Sequence, residues 1–220
     1  QQVKSIDYSE TQVHLISNNE TFTANRVVLA LPPKLWANNI AIAPKLPQNL
    51  LDTALTTHTW MENSIKVALS YPTPFWRNSG QSGTLLSNSG PITEFYDHCN
   101  SEGNTHALCG FLNPEYGNLS HKERKELVIE QVVTVFGTKA KAFIGYHELD
   151  WGKEDKTSTK NRIPLFPHQN NGAAVFRNTY FNSKLFISSS ESSSHFPGYM
   201  EGALISANHT FEKIKAAYKM

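Results

Sequence analysis

One short apolar run limits the folds that are open to this sequence. The run Val27-Val28-Leu29-Ala30-Leu31 carries no polar side chain, and Pro32-Pro33 ends it. A continuous apolar strand is typical of a parallel sheet with both faces covered, and proline cannot donate to the ladder of hydrogen bonds. The sequence therefore predicts a buried strand at residues 26–31, parallel to its neighbour.

The rest of the sequence predicts an α+β fold, a mostly antiparallel sheet packed with helices. In the strand predicted over 64–71, the apolar odd-numbered residues share one face and Lys66 lies on the other. Ser120 and Glu123 form a capping box at the start of the clearest helix. Further strands are predicted at 3–6, 13–16, 84–86, 92–96, 107–112, 143–151 and 185–187, and helices at 48–57, 120–137 and 198–218.

Charge and cysteine content exclude several classes of function. Twenty basic and nineteen acidic residues give a net charge of +1, which leaves no footprint for nucleic acid. No apolar run approaches the roughly 20 residues of a membrane span. Cys99 and Cys109 form neither a zinc motif nor a disulfide framework, which favours a reducing compartment such as the cytoplasm. The histidines and acidic residues show no metal-ligand spacing, so no metal site is predicted.

The segment from His195 to Ala203 has the local pattern of a ligand-binding helix start. Pro197 and Gly198 break the chain, Tyr199 follows, and a helix begins. The free N–H groups and the positive dipole at such an end favour an electron-rich or anionic group. The same pattern also fits an ordinary buried helix start, and local features alone favour that simpler interpretation.

Four segments in this order resemble the flavin-containing amine oxidase family, which includes the monoamine and polyamine oxidases. They are the apolar strand ending in Pro32-Pro33, the strand of Lys66 with the following Pro74-Phe75-Trp76-Arg77, Glu148-Leu149-Asp150-Trp151, and residues 185–203 with their Gly-Tyr-Met-Glu-Gly-Ala. The resemblance covers essentially all 220 residues and corresponds to the second half of a family member.

The resemblance implies three regions. Residues 1–33 would form strands of a partial FAD-binding α/β domain, and residues 34–150 the substrate-binding domain. Residues 151–220 would form a flavin-facing loop, a strand and a C-terminal helix that returns to the FAD domain. The chain begins with Gln1 and contains no G-x-G-x-x-G, so we expect a truncated flavoenzyme that neither holds FAD tightly nor is active by itself.

Two residues are catalytic candidates through the resemblance. Lys66 matches the lysine that holds a water against the flavin N5, a water linked to hydride transfer and to the reaction with oxygen. Tyr199 matches one wall of the aromatic cage that orients the substrate amine. The alternatives are a lysine on the exposed face of a half-buried strand and a core tyrosine.

Four residues are cofactor-binding candidates through the resemblance. Trp151 matches an aromatic near the flavin edge, although core packing explains it equally well. Glu191 matches the acidic residue of a turn that packs against the ribityl and phosphate portion of FAD. At Gly198 and Met200 the helix start would meet the flavin ring, with the Met200 backbone N–H reaching a pyrimidine oxygen. Ser189 replaces the glycine of the family's turn, which would weaken or rearrange that contact.

The loop between Trp151 and Arg177 departs from the family. An ungapped count places the second cage aromatic near Thr159-Lys160, and neither residue is aromatic; Phe166 lies nearby without a confident alignment. This departure puts the amine specificity in doubt. The loop contains no cysteine, so any FAD would be bound non-covalently.

The resemblance implies an FAD-dependent oxidase that takes a small-molecule amine, passes a hydride to the flavin and uses O₂ as acceptor. Two alternatives stay open: a non-catalytic binding or structural module derived from the same fold, and an FAD oxidase of a non-amine substrate. The serines around His195 lack the G-x-S-x-G of a hydrolase. Uncovered apolar strands would promote association, including formation of a homo-oligomer.

Overall fold

The structure is a computed structural model that describes residues 1–159 and 165–218. It contains helices and mostly antiparallel sheets, which confirms the α+β class. The chain divides into two compact units, one formed by Gln1–Glu62 with the residues from Asp155 onwards, and the other by Asn63–Glu154. These boundaries differ from the ones expected from the sequence, which followed residues 33 and 150.

The described residues form eleven strands and five α-helices. The strands are β1 (Val3–Tyr8), β2 (Val13–Ser17), β3 (Thr21–Ala24), β4 (Val27–Leu29), β5 (Ala41–Ala43), β6 (Ile65–Tyr71), β7 (Leu85–Leu86), β8 (Ile92–Asp97), β9 (His106–Leu112), β10 (Gly145–Asp150) and β11 (Leu185–Ile187). The helices are α1 (Pro33–Asn39), α2 (Gln48–Leu55), α3 (Phe75–Asn78), α4 (His121–Phe136) and α5 (Met200–Tyr218).

The first unit contains a four-stranded sheet in the order β3-β2-β1-β5 and a parallel pair formed by β4 and β11. The parallel partner predicted for the apolar run is therefore present. Val27 and Leu29 are buried and Val28 is exposed, so within this chain only one face of the strand is covered. Residues from both parts of the unit form one core, in which Trp36 and Phe176 are fully buried.

The double proline ends β4 and also begins a helix. Pro33 is the first residue of α1, where its missing N–H would have no helical partner in any case. The helix buries Lys34, Leu35 and Trp36. The sequence predicted only the end of the strand at this point.

The second unit is one antiparallel sheet with the strand order β10-β6-β9-β8-β7. Ile65, Val67 and Leu69 of β6 are buried in one hydrophobic cluster with α4 residues such as Val128 and Val132. The even-numbered residues of β6, Lys66 among them, point to the other face. This confirms the predicted division of the strand into two faces.

Helix α4 begins and ends as its sequence predicts. The Ser120 Oγ accepts the Glu123 N–H at 3.3 Å, and a Glu123 carboxylate oxygen accepts the Ser120 N–H at 2.8 Å. Gly137 caps the other end with φ +83°, a conformation that other residues rarely adopt. The capping box supplies acceptors for donors that the first turn leaves unpaired.

A buried ion pair joins α4 to β10. The Arg124 guanidinium donates to the Glu148 carboxylate at 2.5 and 2.9 Å, and the Tyr146 hydroxyl donates to the same carboxylate at 2.6 Å. Burial acts to raise the pKa of Glu148, but the hydrogen bonds from Arg124 and Tyr146 outweigh burial and hold it below its ordinary value. The Glu148 carboxylate therefore stays charged beside the Arg124 guanidinium although both side chains are buried.

We expect Glu148→Gln to lower the free energy of unfolding by about 3 kcal/mol, because it leaves a buried guanidinium without its counter-charge. A carboxyl with a depressed pKa stabilises the folded state above its unfolded pKa of about 4.3. That stability is lost as the pH falls through the folded pKa, so Glu148→Gln should also weaken the pH dependence of stability below about pH 4. Chemical denaturation at several pH values measures both effects.

The control is Glu126→Gln, which removes an exposed carboxylate 4.0 Å from the Lys122 ammonium. Such a surface pair contributes about 0.5 kcal/mol or less. Equal losses from the two variants would contradict the importance assigned to the buried pair.

Candidate functional site

The start of α5 is exposed rather than buried. Gly198 has φ +84°, and its N–H donates to the Ser190 carbonyl at 3.1 Å, which turns the chain into the helix. Tyr199 is 49% exposed and Met200 is 88% exposed. A ligand can therefore reach the ring and the first N–H groups of a 19-residue helix.

The turn before α5 lies directly on the helix. A Cβ at Gly202 would lie 2.1 Å from the Phe196 carbonyl oxygen, so only glycine permits this approach. Phe196 itself has φ +48°, which is uncommon for a residue with a side chain. The crossing of this turn over the first helical residues sets the position of Tyr199.

Two further rings surround Tyr199. The Trp60 ring centroid lies 5.5 Å from that of Tyr199, and the His168 centroid lies 6.0 Å from it. Trp60 and His168 stack on each other with their centroids 5.0 Å apart. We call Trp60, His168 and Tyr199 the aromatic platform. All three residues are exposed, so the platform is a surface and not part of the core.

Hydrogen bonds hold the segments that carry Trp60 and His168. The His58 N–H donates to the Gln169 carbonyl at 3.0 Å, and the His168 N–H donates to the His58 Nδ1 at 3.3 Å. The Asn170 amide donates to the Thr56 hydroxyl at 2.9 Å. We call these three contacts the loop clamp. They fix residues 168–170 against residues 56–58, independently of any ligand.

A group of buried charges lies close to the clamp. The Lys34 ammonium donates to both oxygens of the Glu62 carboxylate, at 3.0 and 3.2 Å, and both side chains are 4% exposed. Burial lowers the pKa of His58, and the carboxylates of Glu62 and Glu191 partly oppose that shift. His58 is thereby kept neutral, in agreement with an Nδ1 that accepts a hydrogen bond.

Glu191 lies in the turn that follows β11 and is only 3% exposed. Its carboxylate accepts the Ser190 hydroxyl at 3.0 Å, and its backbone carbonyl accepts the Gly172 N–H at 2.7 Å. Ser189 has φ −120° and ψ 168°, an extended backbone that any residue adopts. The serine that replaces the family's glycine is therefore free of backbone strain. The predicted contact of Glu191 with a cofactor stays a prediction.

The other two predicted residues, Lys66 and Trp151, belong to the second unit. Lys66 is exposed, and its Nζ lies 5.3 Å from the centroid of the Phe111 ring. Ile65 and Val67 point to the opposite, buried face, so Lys66 lies on the exposed face of its strand, and its catalytic role stays a prediction. Trp151 is half-buried at the end of β10, and its backbone N–H donates to the Ser64 carbonyl at 3.0 Å.

The positions considered for the second cage aromatic have different surroundings. Of the two residues counted there, Thr159 is buried and Lys160 lies outside the described residues. Phe166 is strongly exposed and is not among the rings stacked on Tyr199. Trp60 and His168 were not predicted from the sequence. Their meeting depends on the loop clamp, which joins segments more than a hundred positions apart and leaves no local pattern.

The residues at the start of α5 fit one part of FAD. A flavin ring offers a flat apolar face and carbonyl oxygens, and this end supplies exposed rings and N–H donors of a helix start. The pyrophosphate needs a different site, and the sequence contains no G-x-G-x-x-G. This chain therefore fits the ring portion of the cofactor and lacks the usual element for its phosphates.

The family model for flavin-containing amine oxidoreductases matches residues 1–211, and the chain belongs to that family. The resemblance inferred from the four segments is thus confirmed.

Several relatives and solved structures are similar to the chain. Putrescine oxidase of Kocuria rosea is 34% identical over 67% of this chain and 31% of its own. A probable flavin-containing monoamine oxidase A of Dictyostelium discoideum is 28% identical over 97% of this chain and 47% of its own. The structure of putrescine oxidase bound to putrescine matches with a TM-score of 0.79 at 25% identity, over 97% of this chain and 47% of that one. The chain thus spans less than half the length of each.

Two kinds of feature are absent from the described residues. No helix among them is long and apolar enough to cross a membrane. Within the same residues, no group of three or more histidine, cysteine or acidic side chains is placed to hold a metal ion.

We expect Gly202→Ala to destabilise the first unit by about 1–3 kcal/mol, since the new methyl group overlaps the Phe196 carbonyl. Helix propensity alone would give the opposite sign, a gain of about 1 kcal/mol. Chemical denaturation followed by circular dichroism distinguishes the two. Gly117→Ala is the control, because its Cβ would meet only the Ile65 side chain at 3.7 Å. A stabilised Gly202→Ala protein would refute the close approach.

Proposed function

We propose that this chain is part of an FAD-dependent oxidase of small-molecule amines and that it supplies the flavin-facing helix start. The observation that carries the proposal is the exposed Tyr199 ring at the start of α5, in a chain of the amine oxidoreductase family. The redox chemistry would be supplied by FAD when bound, namely uptake of a hydride from the carbon beside the amine nitrogen and delivery of the electrons to O₂. The residues of this chain bind the flavin ring and orient the amine.

Each residue of the helix start has a distinct task in this proposal. Gly198 allows the turn that brings the N–H groups of α5 towards the ligand. The Met200 N–H donates to the flavin ring, a task of the backbone that places no demand on the methionine side chain. The Tyr199 ring directs the amine, because the face of an aromatic ring attracts a cation.

Lys66 is proposed as the catalytic residue of the second unit. Its ammonium is held over the Phe111 ring and takes part in none of the ion pairs found among the described residues. A charged group in that position is available to hold a water by hydrogen bonding. Trp151 is proposed to pack near the flavin edge.

The first unit supports the proposal that the chain is a fragment. Helix α5 buries the small residues Gly202, Ser206 and Thr210 and exposes large apolar ones, namely Met200, Leu204 and Phe211. A surface helix normally has the reverse arrangement. Its apolar face, like the exposed Val28 of β4, would be covered by the part of the protein that also holds the FAD phosphates.

The first test compares FAD binding by the 220-residue chain and by the complete protein. We expect the complete protein to purify with flavin absorbance and the isolated chain to be colourless. Stoichiometric FAD in the isolated chain would overturn the fragment proposal. A flavin in the complete protein that no amine reduces without oxygen would overturn amine oxidation. That outcome would favour a non-amine oxidase or a non-catalytic module.

The second test addresses Lys66 in the complete, FAD-loaded protein. We expect Lys66→Met to lower amine-dependent peroxide formation at least about tenfold, because the proposed water loses its anchor. The matched control is Lys125→Met, which removes a lysine placed 5.6 Å from the Phe143 ring in the same unit. Flavin absorbance should stay constant in both variants. An unchanged rate in Lys66→Met would exclude the catalytic role.

A further inference from the structure

One hydrogen bond of the loop clamp depends on the protonation state of a histidine. The His168 backbone N–H donates to the His58 Nδ1 at 3.3 Å. An imidazole nitrogen accepts a hydrogen bond only while it carries no proton, and the charged ring has two donors and no acceptor. The other two contacts of the clamp end on the Gln169 carbonyl and the Thr56 hydroxyl, which do not titrate. Acid can therefore remove one contact of the clamp and leave the other two.

The groups that face His58 carry both signs of charge and come from four segments. Glu62 and Lys34 form the buried ion pair. The His168 ring centroid lies 6.3 Å from that of His58, and Glu191 lies in the turn that follows β11. Burial, the Lys34 ammonium and a charged His168 favour the neutral imidazole, whereas the two carboxylates favour the charged one. Burial is the largest effect, so the pKa of His58 lies below its ordinary value of about 6.5.

The contact with His58 helps to hold His168 in its backbone conformation. His168 has φ +60°, which for a residue with a side chain is less favourable than an extended backbone and needs contacts that hold it. In this conformation the His168 ring stacks on Trp60 and lies 6.0 Å from the ring of Tyr199. Loss of the acceptor at His58 would therefore free the residue whose ring packs against the other two.

We propose that His58 is a pH-sensitive latch for the loop that carries His168. With His58 neutral, the latch is closed and the rings of the aromatic platform stay packed. Protonation of His58 places one N–H against another, so the His168 backbone loses its partner and its ring leaves Trp60 and Tyr199. The two remaining contacts keep the loop attached, so the change is local. The latch is a property of this chain, whereas its effect on amine oxidation rests on the proposed function.

The test is hydrogen exchange of the His168 amide in the 220-residue chain, followed by NMR from about pH 4.5 to 8 and divided by the intrinsic rate at each pH. A histidine with a lowered pKa stabilises the folded form above about pH 6.5, and this effect is lost as the pH falls through the folded pKa. We expect protection to fall about two- to tenfold over that range, the effect of one hydrogen bond. Protection that is independent of pH would overturn the proposal.

Two substitutions of His58 should have opposite effects. The Oδ1 of asparagine can replace Nδ1 as acceptor and does not titrate, so His58→Asn should keep His168 protected at every pH. His58→Leu has no acceptor and should leave the amide weakly protected throughout. The control is His14→Asn, which removes an imidazole 3.3 Å from the Thr23 hydroxyl and should keep the pH dependence of the unmodified chain. A pH dependence that persists in His58→Asn would assign the titration to another group and exclude the latch.

A measurement on the unmodified chain decides the matter if a variant fails to fold. The NMR shifts of the His58 ring report its own titration, and their midpoint should coincide with the pH at which the His168 amide loses its protection. Two separate midpoints would contradict the proposal.

The complete, FAD-loaded protein separates the latch from the proposed function. The ratio of kcat/KM between the unmodified protein and His58→Asn cancels the ionisation of the amine itself, and we expect it to fall at least about twofold below about pH 6.5. If amines reduce the flavin and this ratio is constant, the latch has no effect on catalysis and amine oxidation stands. If the isolated chain shows the pH-dependent protection but no amine reduces the flavin, the latch stands and amine oxidation fails.

Discussion

The architecture depends on one parallel pairing between strands that are far apart in the sequence. In β4 and β11, Val27 lies opposite Leu185 and Leu29 lies opposite Ile187. Two parallel strands cannot be joined by a tight turn, so the whole second unit lies within the connection between them. The pairing continues where the Ser188 N–H donates to the Leu29 carbonyl at 2.9 Å. It therefore fixes where the next turn, residues 189–192, begins; we call this segment the serine turn.

The serine turn holds α5 in place through hydroxyl contacts. The Ser192 hydroxyl donates to the Ser189 carbonyl and lies 2.7 Å from the Ser206 hydroxyl on the second turn of the helix. Hydroxyl contacts of this kind need small residues, and α5 accordingly turns its small face inwards. The exposed large apolar residues on the other face are therefore a consequence of how the helix is anchored. The same anchoring brings Tyr199 to the surface.

Local patterns predicted the elements whose signals are contained within a few residues. The capping box at Ser120 and Glu123 gave the start of α4, and alternation gave the two faces of β6. The sequence missed α1, because its prolines were interpreted as an end although Pro33 is also a favourable first helical residue. The exposure of Lys66 follows from the same alternation, because its apolar neighbours point to the opposite face of the strand.

The platform could not be predicted, because it depends on backbone conformations that the residue types alone do not determine. His168, Asn170 and Phe196 all have positive φ, at 60°, 59° and 48°. Asparagine and histidine enter that region more readily than other residues, whereas for a phenylalanine it costs about 1–3 kcal/mol and persists only where the surroundings enforce it. The loop clamp enforces it at His168 and Asn170, and the contact of Phe196 with Gly202 enforces it at the turn. Since these contacts all lie within the first unit, the arrangement of the three rings is fixed by the chain itself, whatever ligand they meet.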